Sequence, residues 1–253
     1  MRERRLQELE EHIHALGTTS LDELCEHFNV SKNTIRRDIQ VLLEKGTIQK
    51  VYGGVTSLSQ ELIPFESRDI TNQAVKRAIA KRAAQFVESN ELIFIDSGTT
   101  TRSIVEYLPR TGKLTIMTTS LDVINAASHL ENVSLLVLGN IYKRDTKSFV
   151  GSDELFLLDK YNINKAFMAA TGVSVASGLT NSDVMEYEIK KRVAEKAKQV
   201  YLLADASKFG RSTLLTYSPL DKLDAIITSQ GIPEEYEKYC ADKGISVYFA
   251  EET

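Results

Sequence analysis

One stretch, residues 31–46, restricts the possible folds most, because as a helix it would have two chemically different faces. Apolar residues recur at the spacing of a single helical stripe, and these are Ile35, Ile39, Leu42 and Leu43. Another face carries side chains of the types that hydrogen-bond base edges and phosphates, namely Asn33, Arg36, Arg37 and Gln40. Ser31 suits the N-cap position and Gly46 suits a C-terminal stop, so the pattern predicts a helix. An ordinary amphipathic surface helix has the same pattern, so the neighbouring residues are needed to distinguish it from a DNA-binding helix.

Two shorter helices are predicted upstream of this stretch. Leucine and isoleucine recur at spacings of three and four through residues 6–16, and Gly17 follows as a stop. Ser20 and Glu23 have the spacing of a capping box, which starts a second helix. A tight turn at residues 29–30 then leads into the third helix. Two helices joined in this way, the second with a polar outer face, predict a helix-turn-helix.

A β-hairpin is predicted directly after the third helix. Residues 47–52 alternate in polarity, a Gly-Gly pair allows a turn, and residues 55–57 can return as a second strand. Residues 31–53 carry five basic and two acidic side chains, a local net charge of +3 in a chain whose overall net charge is -4. This local charge suits DNA phosphates and favours a wing, although a hairpin that only packs against the core fits the same residues. The predicted DNA-contacting residues are Ser31, Lys32, Asn33, Thr34, Arg36, Arg37, Gln40, Lys50, Tyr52 and Gly53.

The remainder of the chain predicts a separate α/β domain. From Ala74 onward, short apolar runs such as residues 92–95, 166–169 and 200–203 alternate with helix-like segments. Continuous apolar strands of this kind predict a mostly parallel sheet with both faces covered. The predicted organisation is a winged helix-turn-helix in residues 1–57, a linker in residues 58–73, and an α/β effector-binding and oligomerisation domain in residues 74–253.

Polar residues cluster where the predicted parallel strands end, which is where ligands bind in open α/β sheets. Residues 97–101 would open a helix, so that N–H groups, hydroxyls and the helix dipole could together hold a phosphate. Three basic residues could add cations, and two aspartates could accept hydrogen bonds from sugar hydroxyls. Plain helix caps and solvated charges remain the alternatives. The predicted effector-binding residues are Asp96, Ser97, Gly98, Thr99, Thr100, Thr101, Thr119, Ser120, Lys143, Arg144, Gly172, Asp205 and Lys208.

Composition and missing motifs disfavour several other classes of protein. Cys25 and Cys240 are the only cysteines, so a reduced cytoplasmic setting is expected rather than a disulfide framework. No apolar run approaches the length of a membrane span. The four histidines share no metal-ligand spacing with the cysteines, and the sequence has no nucleophile elbow, zincin motif or GxGxxG. No catalytic residue, metal or cofactor is therefore predicted.

Both parts of the chain resemble the DeoR family of bacterial regulators of sugar metabolism. The residues that carry the resemblance are 21–24, 28–31, 34–38 and 52–54 in the first part, and 94–100, 118–120, 149–151, 170–172 and 204–210 in the second. The resemblance implies that the helix with Thr34, Arg36 and Arg37 reads DNA. It also implies a sensor domain similar to sugar-phosphate isomerases, whose pocket binds a phosphorylated sugar or polyol that relieves repression.

A finer resemblance narrows the expected pathway. Residues 142–149 and 159–165 resemble the members of this family that control inositol catabolism, which implies an inducer of the phosphorylated keto-deoxy-gluconate type. The predicted protein is a cytoplasmic, nucleoid-associated homodimer or homotetramer with no membrane association. It represses a carbohydrate catabolic operon, that of myo-inositol by the finer resemblance, until a phosphorylated sugar releases it from operator double-stranded DNA.

Other functions fit parts of the sequence. A sugar-phosphate isomerase-like enzyme with an accessory N-terminal domain could use Asp205 and Lys208 for proton transfer, but it would have no use for a winged helix. A protein-interaction module would leave the anion-binding turns unexplained. A regulator that activates rather than represses has the same sequence features.

Overall fold

Two separate units make up the described parts of the chain, each with its own hydrophobic packing. A computed structural model describes residues 2–16, 18–45, 47–51, 54–57, 65–151 and 155–251. The first unit spans residues 1–63 and the second spans residues 64–253, so the division falls inside the segment predicted as a linker. Within that segment, residues 58–64 lie outside the described residues, whereas residues 65–73 belong to the second unit.

The described residues of the first unit form three helices and a small antiparallel sheet. The helices are α1 (Arg2–Leu16), α2 (Leu21–Phe28) and α3 (Lys32–Lys45), and the strands are β1 (Thr18–Ser20), β2 (Ile48–Val51) and β3 (Gly54–Ser57). β3 lies between the other two strands and pairs with β2 as the predicted hairpin. The arrangement is a winged helix-turn-helix, as predicted. The sequence did not indicate β1, because a strand of three residues is too short to show alternation.

Local signals in the sequence set the ends of α2. The Ser20 hydroxyl accepts a hydrogen bond from the N–H of Glu23, and the Glu23 carboxylate accepts one from the N–H of Ser20, which completes the predicted capping box. Asn29 ends the helix with a φ of 50°, a conformation that asparagine adopts more readily than most residues. The helices and the hairpin then share one core, formed by Leu9, Ile13, Leu24, Ile35, Ile39, Leu42, Ile48 and Val55.

The described residues of the second unit form five α-helices and twelve strands, with several 3₁₀ turns between them. The helices are α4 (Phe65–Ile70), α5 (Gln73–Ala84), α6 (Leu121–Ala127), α7 (Val184–Lys196) and α8 (Glu234–Lys243). The strands are β4 (Leu92–Ile95), β5 (Leu114–Thr118), β6 (Val133–Val137), β7 (Ile141–Lys143), β8 (Ser148–Val150), β9 (Lys165–Met168), β10 (Gly172–Ser174), β11 (Gly178–Asn181), β12 (Gln199–Leu203), β13 (Leu215–Ser218), β14 (Ala225–Thr228) and β15 (Ser246–Phe249).

Seven of these strands form a parallel sheet in the order β15-β14-β12-β9-β4-β5-β6. Successive side chains of a strand point to opposite faces, and both faces are buried. Phe94, Ala166 and Met168 pack on one face, whereas Ile93, Ile95 and Phe167 pack on the other. The predicted parallel sheet with two covered faces is confirmed. The chain builds β4, β5 and β6 outward and then returns to β9 on the other side of β4, so the strand order reverses between β4 and β9.

Two antiparallel additions flank the main sheet. β7 and β8 form a hairpin, and β10, β11 and β13 form a three-stranded sheet. None of these five short strands was predicted, because runs of three or four residues resemble loops. They matter for the site, since they bring Ser148 and Asn181 towards the carboxyl ends of the main strands.

Candidate functional site

The outward face of α3 carries the side chains predicted to contact DNA. The predicted apolar stripe is confirmed, because Ile35, Ile39 and Leu42 are buried in the core of the first unit. The start of the helix is stabilised by Ser31, whose Oγ accepts a hydrogen bond from the N–H of Thr34 at 3.3 Å. Six of the residues predicted to contact DNA are exposed here: Ser31, Lys32, Asn33, Arg36, Arg37 and Gln40. Thr34 is half-buried.

An ion pair with a buried carboxylate removes a negative charge from this face. Asp38 lies on the inner side of α3, only 1% exposed, and its Oδ2 lies 2.8 Å from Nε of Arg5 on α1. The pair joins the first helix to the third and leaves the outer surface with the positive charges of Arg36 and Arg37. Guanidinium groups exposed in this way suit guanine edges and phosphates.

Two other predicted contacts already have partners within the first unit. Lys32 pairs with Asp22 on α2, and both side chains are largely exposed. The amide of Gln40 donates a hydrogen bond to Oε1 of Glu44 at 3.0 Å. Exposed contacts of this kind contribute little to stability, so DNA could replace them at small cost.

The wing is only partly described. Lys50 is exposed on β2, and Val51 pairs with Gly54 across the hairpin. The predicted contacts at Tyr52 and Gly53 lie outside the described residues. At position 54 glycine is required, because a Cβ there would lie 2.1 Å from the carbonyl oxygen of Thr19 on β1.

The second candidate site lies where the strand order of the parallel sheet reverses. Asp96 directly follows β4 and is 1% exposed. Its Oδ1 accepts a hydrogen bond from the N–H of Ser97 at 2.8 Å, and its Oδ2 accepts one from the N–H of Ala169 at 2.8 Å and pairs with Lys190 of α7. The carboxylate thus joins the ends of β4 and β9, and its oxygens already have internal donors. The geometry supports the local-cap interpretation of Asp96 rather than a contact with a sugar hydroxyl.

The predicted phosphate loop, residues 97–101, is buried except for the half-buried Gly98, and it leads into a 3₁₀ helix, Thr101–Tyr107. Thr101 is committed internally, because its Oγ1 donates to the carbonyl oxygen of Asp96 at 2.7 Å. Gly98 packs tightly, since a Cβ at that position would lie 2.2 Å from the Cβ of Ala169. Thr99 instead lines a cavity of about 230 Å³ together with residues of α4, α5 and α6.

The turn after β5 is a helix cap, which was one of the two interpretations of this segment. The Ser120 hydroxyl accepts a hydrogen bond from the N–H of Val123 at the start of α6, at 3.3 Å. The carbonyl oxygen of Thr119 accepts one from the N–H of Phe149 on β8, at 2.7 Å. Both residues hold neighbouring elements in place.

The predicted cations fall in different environments. Lys143 pairs with Asp183 at the start of α7, and this hydrogen bond raises the pKa of Lys143. Arg144 is exposed on the β7–β8 turn. Lys208 is half-buried, and burial lowers the pKa of Lys208 while nearby Asp205 opposes that change. Asp205 itself follows β12 and caps the next turn, its Oδ1 accepting from the N–H of Ser207 at 3.0 Å.

Three further cations near Lys208 were missing from the predicted site. Arg68 of α4, Lys76 of α5 and Arg211 each lower the pKa of Lys208 by their positive charge. Lys76 is 4% exposed and donates a hydrogen bond to the carbonyl oxygen of Arg68. A signal for Lys76 was present in the sequence, because it lies three residues before Ile79 on the buried face of α5. A lysine on an apolar helix face is uncommon without a polar partner.

Glu186 is a second buried group that the predicted site lacked. Its Oε1 accepts a hydrogen bond from Oγ of Ser148 at 2.7 Å and a longer one from Oγ of Ser97, at 3.4 Å. Its Oε2 accepts from the amide of Asn181 at 3.1 Å. The carboxylate thereby connects the loop after β4 with β8, β11 and α7, elements far apart in the sequence.

Gly172 allows a close approach of two chain segments. A Cβ at this position would lie 2.6 Å from the carbonyl oxygen of Arg211. Gly172 therefore helps place Arg211 beside the carboxyl ends of the strands. This role explains the glycine without a direct contact between Gly172 and a ligand.

The chemistry available at this edge is the binding of an anion. Four positive charges lie at this edge, those of Arg68, Lys76, Lys208 and Arg211, and the carboxylates near them are Asp69, Glu186 and Asp205. Among the described residues, no group of three or more His, Cys, Asp or Glu side chains could hold a metal ion. In the described part of the chain, no helix is both long and apolar enough to cross a membrane.

A winged helix-turn-helix with exposed arginines, followed by a separate α/β unit, defines a DNA-binding regulator with a second domain. Residues 5–61 match the family described as the DeoR-like helix-turn-helix domain, and residues 71–230 match the DeoR C terminal sensor domain. The chain belongs to the DeoR family of transcriptional regulators. The predicted family is thereby confirmed, as is the prediction of a regulator rather than an enzyme.

Individual relatives agree with this assignment. The chain is 60% identical to the HTH-type transcriptional regulator IolR of Bacillus subtilis (strain 168), over 97% of this chain and 98% of the relative. It is 32% identical to the uncharacterized HTH-type transcriptional regulator YulB of the same organism, over 96% and 95% of the two chains. Among solved structures, ribose 5-phosphate isomerase A from Neisseria gonorrhoeae is 21% identical, with a TM-score of 0.40 over 55% of this chain and 54% of that chain.

Proposed function

We propose that this regulator represses a carbohydrate catabolic operon, that of myo-inositol, and that a phosphorylated sugar bound to the second unit releases it from its operator. The effector expected from the sequence is a phosphorylated keto-deoxy-gluconate. The inositol assignment rests on the resemblance of residues 142–149 and 159–165, and the similarity to a relative named as a transcriptional regulator is consistent with it. The protein would act in the cytoplasm, bound to the nucleoid.

The observation that carries the effector proposal is the cluster of cations at the carboxyl ends of the parallel strands. Burial lowers the pKa of Lys76 and of Lys208. Asp205 opposes that change in both lysines, while the neighbouring positive charges add to it. A phosphate dianion placed there would reverse part of this effect, because an opposite charge nearby favours the charged form of each lysine. Arginine and lysine together supply the charge-assisted hydrogen bonds that phosphate groups require.

The operator is read by α3 in this proposal. Arg36, Arg37 and Asn33 would face base edges in the major groove, while Lys50 of the wing would contact phosphates. A homodimer or homotetramer would place these helices on repeated half-sites, because a symmetric oligomer matches symmetric DNA. The second unit would supply the oligomer contacts.

The test is a binding titration on the full chain. Fluorescence anisotropy follows labelled DNA from upstream of the protein's own gene at a fixed salt concentration, because affinity for DNA depends strongly on salt. A panel of sugar phosphates, including phosphorylated keto-deoxy-gluconate, is then added. Release by one phosphorylated compound, and not by its unphosphorylated counterpart, is the expected result. Tight binding that no compound disturbs would contradict the effector proposal.

The same samples test the enzyme alternative. Each sugar phosphate is incubated with the protein and its isomer content is followed by NMR. No turnover is expected, because the Asp205 carboxylate is already occupied as a cap. Turnover together with an absence of specific DNA binding would favour an isomerase-like enzyme instead.

A further inference from the structure

α4 is the first described element after the junction between the two units. Its first residue, Phe65, is buried in the second unit. Two cations lie near the ring, with the guanidinium carbon of Arg68 at 5.7 Å and Nζ of Lys147 at 5.8 Å from its centroid. A helix of six residues has little stability of its own, so its position depends on contacts of this kind.

Two other cations hold the second half of α4. Nζ of Lys76 donates a hydrogen bond to the carbonyl oxygen of Arg68. The guanidinium of Arg102 pairs with Asp69 on α4 and, on its other side, with Asp122 of α6, whose Oδ2 lies 2.8 Å from the Arg102 nitrogen. The side chains in the Arg102–Asp69 pair are about a quarter exposed or less.

Both of these cations line the same cavity as Thr99, one of the predicted phosphate-binding residues. The cavity has a volume of about 230 Å³, and Asp69 and Asp122 form part of its wall. An anion bound in this space would attract Lys76 and Arg102 and would repel Asp69 and Asp122, as well as Glu106 on the same wall. It would therefore compete with α4 for the groups that hold α4 in place.

We propose that α4 is a latch between the effector site and the junction, fastened by Lys76 and Arg102 and opened when the effector's phosphate takes these two cations. This inference rests on the proposed function and adds how effector binding in the second unit would affect the junction. A ligand shifts an equilibrium only by binding one state better than the other, and here the better-binding state is the one with α4 released. Coupling is reciprocal, so weakening the latch must also tighten effector binding.

Two matched substitutions separate the latch from a simple change of charge. Asp69→Asn and Asp122→Asn each remove one carboxylate from Arg102 and from the cavity wall, but only Asp69 lies on α4. Both variants should bind the phosphorylated keto-deoxy-gluconate more tightly, because each removes a repulsive charge. Without effector, Asp69→Asn should weaken operator binding by about 5-fold or more, the lower range of typical allosteric coupling. Asp122→Asn should leave operator affinity within about twofold of the wild type.

The measurements are operator affinity by anisotropy, with and without that compound, and hydrogen exchange by mass spectrometry. Saturating effector should speed amide exchange in residues 65–70 of the wild type and leave residues 114–118 of the central sheet unchanged. The exchange result does not depend on either variant folding. The latch would be refuted if the compound released the wild type from DNA without changing amide exchange in α4, or if the two variants had equal operator affinities. Either result would leave the proposed function standing. A wild type that the compound never releases from DNA would refute both.

Discussion

Replacing Asp96 with asparagine should be among the most damaging single changes in the second unit. The Asp96 carboxylate is 1% exposed and pairs with Lys190, whose side chain is 6% exposed. It also accepts backbone N–H groups from Ser97 and Ala169, which hold together the ends of β4 and β9. Asparagine keeps the shape of the side chain but not its charge, so the Lys190 ammonium would remain buried without its counter-ion.

The expected cost follows from that burial. Removing one partner of a buried ion pair destabilises a protein by about 3–5 kcal/mol, because the remaining charge is left uncompensated. Whole domains are stable by only about 5–15 kcal/mol, so the unit would lose a large share of its stability. The double substitution of Asp96→Asn with Lys190→Met should cost less than Asp96→Asn alone, since it removes the unpaired charge.

Urea denaturation of the full chain, followed by far-ultraviolet circular dichroism, measures this cost. Asp159→Asn is the matched control, because Asp159 pairs with Arg192 where both side chains are 40% exposed or more. Such an exposed pair contributes about 0–1 kcal/mol. If Asp96→Asn cost no more than Asp159→Asn and yet abolished the effector response, the structural role would be refuted. The carboxylate would then serve a sugar hydroxyl.

Three further outcomes are expected. Arg36→Ala should weaken operator binding by about 1–3 kcal/mol if the side chain reads a base, whereas Arg110→Ala on the second unit should not weaken it. Equal operator affinities of the two variants in anisotropy titrations would remove Arg36 from the interface. Lys208→Ala should leave operator binding intact, but more sugar phosphate should be needed for release. Lys222→Ala is the control, because Lys222 is likewise the last residue of a short 3₁₀ turn, and it should change neither the operator affinity nor the amount of sugar phosphate needed. Finally, burial and the neighbouring His27 ring, stacked at 3.8 Å, lower the pKa of His12. As the pH falls, His12 therefore binds a proton in the unfolded chain at a higher pH than in the folded protein. Protonation then favours the unfolded chain, so His12 should reduce the stability of the folded protein below about pH 6.5. His12→Gln should show a smaller drop in melting temperature between about pH 7.5 and about pH 5.5 than the wild type, and an unchanged drop would contradict this reasoning.

The winged helix-turn-helix was predictable because its signals are local. The two faces of α3, the capping box at Ser20 and the turn at Asn29 each depend on residues within one helix or one turn of each other. The same holds for the parallel strands, whose apolar runs show that both of their faces are buried. For these elements, periodicity and end signals agree with the tertiary structure.

The candidate effector site was predictable only in outline. The sequence indicated which strand ends carry polar residues, and the fold brings those ends to one edge. It left open whether Asp96 and Ser120 would accept hydrogen bonds from internal donors or contact a ligand. Whether a polar side chain faces a ligand or a backbone group depends on neighbours that come from distant parts of the chain.

The sequence by itself determined the class of fold, the exposed polar face of α3 and the family. Tertiary structure alone decided that Arg68, Lys76 and Arg211 meet Lys208, and that α4 is held by the same cations that line the cavity. The physical reason is the range of the interactions. Periodicity and capping act over a few residues, whereas electrostatic neighbours at a strand edge are brought together by the order of strands in the sheet, which no local pattern records.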